Sequence, residues 1–331
     1  MSLNIDYDEL DALIATNPSP TKFDIHTYVN KAEYVEPTPL KISTITAIAI
    51  LSSGINLEIV STSLEINQYI QYVEFGNHPK RGKQLKKISK KKASKKKMFF
   101  NQATVIVNIS PYKYVNTKLF ANGKIQMTGL KDPEDGRKAI QILIGEIKRT
   151  FAIIDGENVC AAKNPEHLEL DELRIVLINT DFKANFKIRR PILHKILINR
   201  YGLFAKYEPC IYPGVDTKFY WNTDYDRDGI CHCTQKCTGK GYGKGNGDCK
   251  KVTIASFQSG SVIITGARTM QQVRDAYSFI NNIFKIHFDE IKKVIPAFIQ
   301  EEEQNPKKEK CFYIKKEDIK DRLIPSSVIN Y

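Results

Sequence analysis

Four cysteines stand close together in a polar stretch, Cys231, Cys233, Cys237 and Cys249, in the order C-x-C-x3-C-x11-C. Thiolates are soft ligands, and four of them at short range can close a tetrahedral zinc site of the structural kind. Such a site would staple a loop too glycine-rich to order itself, because metal affinity then becomes folding free energy. The competing reading is four free thiols in a mobile loop, and C-x-C is a less usual ligand spacing than C-x2-C. His232 lies inside the run, yet no His pair or neighbouring carboxylate suggests an open, catalytic metal. Two weaker patterns overlap the cysteines. Asp224-x-Asp226-x-Asp228-Gly229 copies the start of a calcium loop, but Gln235 stands where that loop needs Glu. Residues 239–247 alternate Gly with other residues and match no phosphate-loop pattern. Their default reading is a solvated loop whose flanking lysines can track phosphates.

A second chemistry is electrostatic. The chain has 331 residues, and 50 Lys+Arg against 37 Asp+Glu leave it at +13. Residues 80–97 (KRGKQLKKISKKKASKKK) hold ten Lys and one Arg without an acid. This run reads as a self-repelling solvated loop, an import address, or an arm laid on a polyanion. Residues 1–40 are acidic, with seven acids and two Lys, and residues 301–331 carry seven charges of each sign. Both ends read as charged tails; residues 1–40 are expected to be disordered, or else to dock on the folded part and compete with a polyanion. The length suits about two domains, and 42% hydrophobic residues supply a sizeable core. The absence of a long apolar run argues against a membrane span, and the acidic N-terminus is unlike a secretory signal. Seven cysteines, an odd number, suit a reducing compartment better than a disulfide framework.

The elements that would position these groups repeat. Residues 120–151 (FANGKIQMTGLKDPEDGRKAIQILIGEIKRTF) align without a gap on residues 257–288 (FQSGSVIITGARTMQQVRDAYSFINNIFKIHF), at an offset of 137. Identical pairs include Phe120/Phe257, Gly123/Gly260, Thr128/Thr265, Gly129/Gly266 and Arg137/Arg274, and cationic Lys131 faces Arg268. Each copy reads as a Gly-containing turn between two strands, a second Gly ending the strand, and then an amphipathic helix. Asp132-Pro133 followed by acids is a helix start. Two copies are too few for a solenoid, so they predict a single pseudo-twofold domain.

The shared Phe-x-x-Gly-x-x-x-x-Thr-Gly-x-Lys/Arg pattern resembles the strand–turn–strand–helix unit in the two repeats of the TATA-box-binding protein family. The segment Tyr207-Glu208-Pro209-Cys210-Ile211-Tyr212-Pro213-Gly214 is similar to that family's stirrup. The resemblance covers residues 41–295, with a first repeat at 41–155 interrupted by the Lys-rich run and a second at 170–295 interrupted at 222–250. Its divergence and insertions are similar to those of TATA-binding-like proteins in large nucleocytoplasmic DNA viruses. It implies an α+β saddle, about ten antiparallel strands with four main helices on the convex side. It also implies that the concave face lies on the DNA minor groove, where aromatic wedges unstack base steps and kink the duplex.

Residue by residue, the resemblance places the inner wedges at Phe120 and Phe257 and the second outer wedge at Tyr212. The first outer wedge falls on Phe100 or Phe99, or on Gln102 if the strand is counted back without a gap. Thr128 and Thr265 flank the central base step, with Gln126 and Ile263 where the family has Val. Asn179 stands for one of the family's central Asn pair and Thr44 replaces the other. Lys124, Lys131, Lys218 and Arg268 match phosphate-facing cations. Glu208, Cys210 and Ile211 lie on the stirrup that would meet a B-type general factor, and the RNA polymerase machinery would follow. The implied protein is a monomeric, non-enzymatic transcription initiation factor that requires no cofactor beyond the possible zinc. It would act in the nucleus or, if viral, in a cytoplasmic factory and the virion. Two other classes remain: a sequence-indifferent architectural or RNA-binding protein, and a DNA-processing enzyme on a related scaffold. The latter would need clustered carboxylates or a placed nucleophile, whereas the six His are scattered.

Overall fold

The structure is a computed structural model that describes residues 33–84 and 100–293. The acidic residues 1–32, most of the Lys-rich run, and the C-terminal tail lie outside the described residues. The strands are β1 (Lys41–Leu51), β2 (Ile70–Phe75), β3 (Arg81–Gly82), β4 (Gln102–Ser110), β5 (Lys113–Phe120), β6 (Lys124–Leu130), β7 (Phe151–Ile154), β8 (Glu157–Cys160), β9 (Leu170–Lys183), β10 (Phe204–Glu208), β11 (Tyr212–Trp221), β12 (Lys250–Ser256) and β13 (Ser261–Ala267). The helices are α1 (Leu57–Ser63), α2 (Pro133–Lys148), α3 (Arg190–Asn199), α4 (Met270–Ile286) and the single turn α5 (Phe288–Ile291).

Eleven strands form a single sheet in the order β10-β11-β12-β13-β9-β1-β6-β5-β4-β2-β3. The order is palindromic about the β9–β1 pair, with five strands on each side and β3 added at one edge. This is the expected α+β pseudo-twofold architecture, and all its ladders are antiparallel. Period-two patterning explains it. In β6, Ile125 and Met127 are buried while Lys124, Gln126 and Thr128 are half-exposed; in β13, Val262 and Ile264 are buried while Ser261, Ile263 and Thr265 face outward. Each fully buried Ile or Val contributes about 1.5–3 kcal/mol.

The four longer helices cover the buried face. α2 lies on strands β1, β4, β5, β6 and β9, and α4 on β9, β12 and β13. Their buried residues match at the sequence offset: Ala139 with Ala276, Leu143 with Ile280, Ile147 with Phe284. Both begin in a capping box, Asp132 with Asp135 and Thr269 with Gln272, so two orphan N–H groups are satisfied at each start. The turn glycines Gly123 and Gly260 sit at φ +82° and +79°. A Cβ there would come 2.5 Å from the Ser53 carbonyl and 2.2 Å from that of Phe186, so no other residue fits.

Three features depart from expectation. Residues 33–40, counted with the disordered tail, are instead tied to the second repeat. Thr38 donates its N–H to the Lys183 carbonyl (2.9 Å) and accepts from the Tyr277 hydroxyl (3.0 Å), while Tyr34 packs edge-on against Phe288 at 5.4 Å. The repeats also diverge after Phe151/Phe288. In the first, Asp155-Gly156 adopts left-handed φ of +52° and +84° and closes the separate β7–β8 hairpin, whereas the second turns into α5. Finally, Arg81, counted with the polyanion arm, donates to the Ser61 and Leu64 carbonyls at 3.1 and 2.6 Å and closes the C-terminus of α1.

α5 is held to α3 by ions. Arg200 makes a two-pronged contact with the Glu290 carboxylate (2.6 and 2.8 Å), and His287 lies 3.0 Å from the same group. These hydrogen bonds hold Glu290 down at about 2. A carboxyl depressed on folding stabilises the fold above its free value and loses that contribution as pH falls towards 2. Carboxyl-carbon NMR should therefore show Glu290 titrating near 2, and Arg200→Gln should raise it towards the ordinary carboxylate range without fully reaching it, because His287 still bonds the same group.

Candidate nucleic-acid interface

The helix-free face of the sheet has no layer over it among the described residues, and its side chains come from alternate positions of β4, β5, β6 and of β11, β12, β13. Aromatic rings stand towards both ends. Phe120 closes β5 and Phe257 follows β12, each just before its turn and each half-buried. Cross-strand register bears on the outer position, of whose alternatives Phe99 lies outside the described residues. Gln102 pairs with Phe120, and Val215 pairs with Ser256, which sets Gly214 opposite Phe257. Tyr212 lies two residues before Gly214, so its counterpart is Phe100, two before Gln102. Both outer rings are open, Phe100 at 64% and Tyr212 at 42% exposure.

The two pairs are built differently. Tyr212 and Phe257 meet edge to face at 5.7 Å. Gly214 permits this, since a Cβ there would stand 2.9 Å from one ring and 3.1 Å from the other. In the first repeat Gln102 occupies that place, and Phe100 turns onto Gly76 instead. Burial, and then the Asp216 carboxylate, push the Tyr212 phenol up, so its hydroxyl remains a donor.

At the centre, Thr44 on β1 pairs with Asn179 on β9. The pseudo-twofold axis passes between Ile45 and Ile178, which face each other and pair with the repeat-equivalent Leu130 and Ala267. That register makes Thr44 the equivalent of Leu177, not of Asn179 as the resemblance had it, so the Thr44–Asn179 pair lies beside the axis. Thr44 Oγ1 accepts the Gly129 N–H at 3.2 Å, and Thr265 Oγ1 donates to Asn179 Oδ1. Fixing the amide by its oxygen leaves Asn179 Nδ2 as a donor on the open face. A·T pairs offer only acceptors in the minor groove, so an amide donor there is chemically suited to them. Thr128, Gln126 and Ile263 occupy neighbouring positions on β6 and β13, with Ile263 36% exposed.

The cations are less free than their motif suggested. Lys131 Nζ donates to the Ile42 and Ser43 carbonyls. Lys218 pairs with Asp216 at 2.7 Å and reaches Thr253 Oγ1 at 3.0 Å. Arg268 donates to the Gly241 and Lys240 carbonyls (3.2 and 3.3 Å) and stacks on Tyr242. Lys124 is half-exposed. Sequence reasoning missed Lys118, which pairs with Thr104 and Gln126 and so stands on the same open face. It also missed two acids there, Asp216 and Asp181, the latter bonded to the Ser43 hydroxyl. Strand alternation was the available signal for all three.

The second stirrup projects from β10, an end strand. Ile211 donates to the Glu208 carbonyl at 2.9 Å and closes the turn. Its side chain is 80% exposed, and Glu208 and Cys210 are exposed beside it.

The insertion between β11 and β12 is folded. The sulfurs of Cys231, Cys233, Cys237 and Cys249 all lie within 4.8 Å of one another. His232 turns away to Asp228 at 2.9 Å. The aspartates of the calcium-like pattern serve the loop itself: Asp224 accepts the Gly245 N–H at 2.8 Å and Asp228 that of Ile230 at 2.9 Å.

Comparison with known proteins gives three findings. The profile of the family described as transcription factor TFIID (or TATA-binding protein, TBP) matches residues 172–287. A TATA-box-binding protein-like protein of Acanthamoeba polyphaga mimivirus is 29% identical over 303 residues, which cover 86% of this chain and 77% of that protein. The solved structure of Methanococcus jannaschii TBP aligns with a TM-score of 0.41 at 18% identity, over 75% of this chain and 99% of the other.

Proposed function

Because residues 172–287 match the TATA-binding protein family, we propose that this chain is a non-enzymatic transcription initiation factor that binds and bends promoter DNA through its minor groove. The observation that carries the reading is the pair of aromatic sites, Phe100 with Phe120 and Tyr212 with Phe257, at equivalent register positions on either side of the axis, with the Asn179 amide donor beside it. Rings driven into base steps cost a few kcal/mol of unstacking each, offset by the sheet surface that a bent duplex can meet. Thr128, Thr265, Gln126 and Ile263 line the floor between them, and Lys118 and Lys124 supply charge. Asp181 and Asp216 lower the positive potential there, which favours a relaxed A·T preference over a strict TATA element.

The exposed stirrup of Glu208, Cys210 and Ile211 would receive a B-type general factor, and through it the polymerase. Cys210 stands where the family has a second acid, so the partner is a co-diverged one. The mimivirus relative supports a viral setting, a cytoplasmic factory and virion rather than a host nucleus. No helix among the described residues is long and apolar enough to cross a membrane. Hydroxyl-radical footprinting on duplexes of graded A·T content, with bend angle read by resonance energy transfer, tests the reading. Minor-groove protection that follows A·T content, with a bend, is expected. Uniform protection without a bend would point to the architectural alternative.

A further inference from the structure

We infer that Cys231, Cys233, Cys237 and Cys249 bind one zinc ion as a tetrathiolate, and that this ion organises the insertion against β12 and the start of α4. The inference is independent of DNA binding. Ideal Zn–S bonds of about 2.3 Å place the sulfurs of a tetrahedron about 3.8 Å apart. Here Cys231 and Cys249 are 3.8 Å apart, Cys233 and Cys249 3.3 Å, and all four lie within 4.8 Å. All are free thiols, so no disulfide accounts for the gathering.

The groups around the sulfurs are donors. The Gly247 N–H reaches Cys233 at 3.0 Å and the Asn222 amide reaches Cys249 at 3.5 Å, contacts that favour thiolate and fix ligand orientation. His232 is engaged with Asp228, which leaves a closed donor set of four thiolates, a structural rather than a catalytic arrangement. On binding, each thiol loses its proton to solvent as its Zn–S bond forms, leaving a centre of charge −2. The same segment carries Lys236, Lys240, Lys244, Lys250 and Lys251 to offset it.

The loop has a physical need for the ion. Gly239, Gly243, Gly245 and Gly247 all adopt positive φ. The indole of Trp221 lies against Gly243, where a Cβ would come 2.3 Å from the ring. The loop's outer turns are then tied down by backbone bonds: Lys251 to Gly239 (2.8 Å), Gly241 to Cys249 (3.1 Å) and Thr223 to Gly243 (2.9 Å). Arg268 and Gln272 reach into this turn, onto the Gly241, Lys240 and Tyr242 carbonyls. The zinc therefore explains why a residue matched to a phosphate contact is used as an anchor.

Metal analysis of the purified full chain should find one zinc per chain, and cobalt exchanged into the site should show sulfur-to-metal charge transfer with tetrahedral ligand-field bands. Cys233→Ser with Cys237→Ser should lose the zinc and open Lys236, Lys240 and Lys244 to trypsin, while Cys160→Ser keeps both zinc and protection. Far-UV circular dichroism separates loop release from global unfolding. A wild-type chain without zinc, with stoichiometric iron, or whose cobalt form lacks the thiolate signature would overturn the assignment.

Discussion

Replacing Phe120 and Phe257 together by Ala is expected to return the bend angle of a bound A·T-rich duplex to that of free DNA. Phe120 ends β5 and Phe257 directly follows β12, both on the open face and each beside a glycine turn. Truncating a central aromatic anchor costs about 2 kcal/mol, roughly thirtyfold in Kd, so the double variant should weaken specific binding by several hundredfold. Because the rings are only half-buried, the loss of folding stability should fall below the 3–5 kcal/mol of a fully buried Phe. Circular dichroism and thermal melting would establish that the variant is folded. A double variant that bends DNA as the wild type does would remove these residues from the interface.

Deleting residues 84–97 should do the reverse: retain the bend and flatten the salt dependence. That segment contains eight lysines. Each phosphate they neutralise contributes about 0.9 to the slope of log K against log salt, so the slope should fall by up to about 7. The deletion begins after Arg81 for a structural reason, since its guanidinium closes α1; Lys80 likewise pairs with Glu74 at 3.2 Å. Removing residues 80–97 whole would confound charge with the loss of that cap. Equilibrium titrations at several salt concentrations would read the slope, and an unchanged slope would leave the run without a role on the polyanion.

The architecture was readable because the same period-two and helical patterns occur twice, and a buried position in one repeat predicts its partner in the other. Leu143 and Ile280 show this, as do Ile147 and Phe284. The β7–β8 hairpin lies beyond the aligned repeat, and its signal, Asp155-Gly156 among apolar residues, has no counterpart in the second copy, where α5 forms instead. Long-range pairing decided what one-dimensional counting could not. Phe100 rather than Gln102 matches Tyr212 because strand register, not sequence distance, sets equivalence across an insertion. The engagement of Lys131, Lys218 and Arg268 was invisible for the same reason: their partners lie 2 to 89 residues away and include main-chain carbonyls, which carry no signature in residue type.

The Thr44–Asn179 pair has a consequence for direction. A molecule with perfect twofold symmetry would read a duplex identically from either end. Here Thr44 pairs with Asn179 on one side of the axis, whereas the symmetry-related pair on the other side is Thr46 with Leu177, so the amide stands on one side only. One flank then joins its two rings over Gly214, while the other separates them with Gln102. The protein thus has a head and a tail. A bound promoter would acquire an orientation from the protein alone, before any partner arrives at the exposed second stirrup.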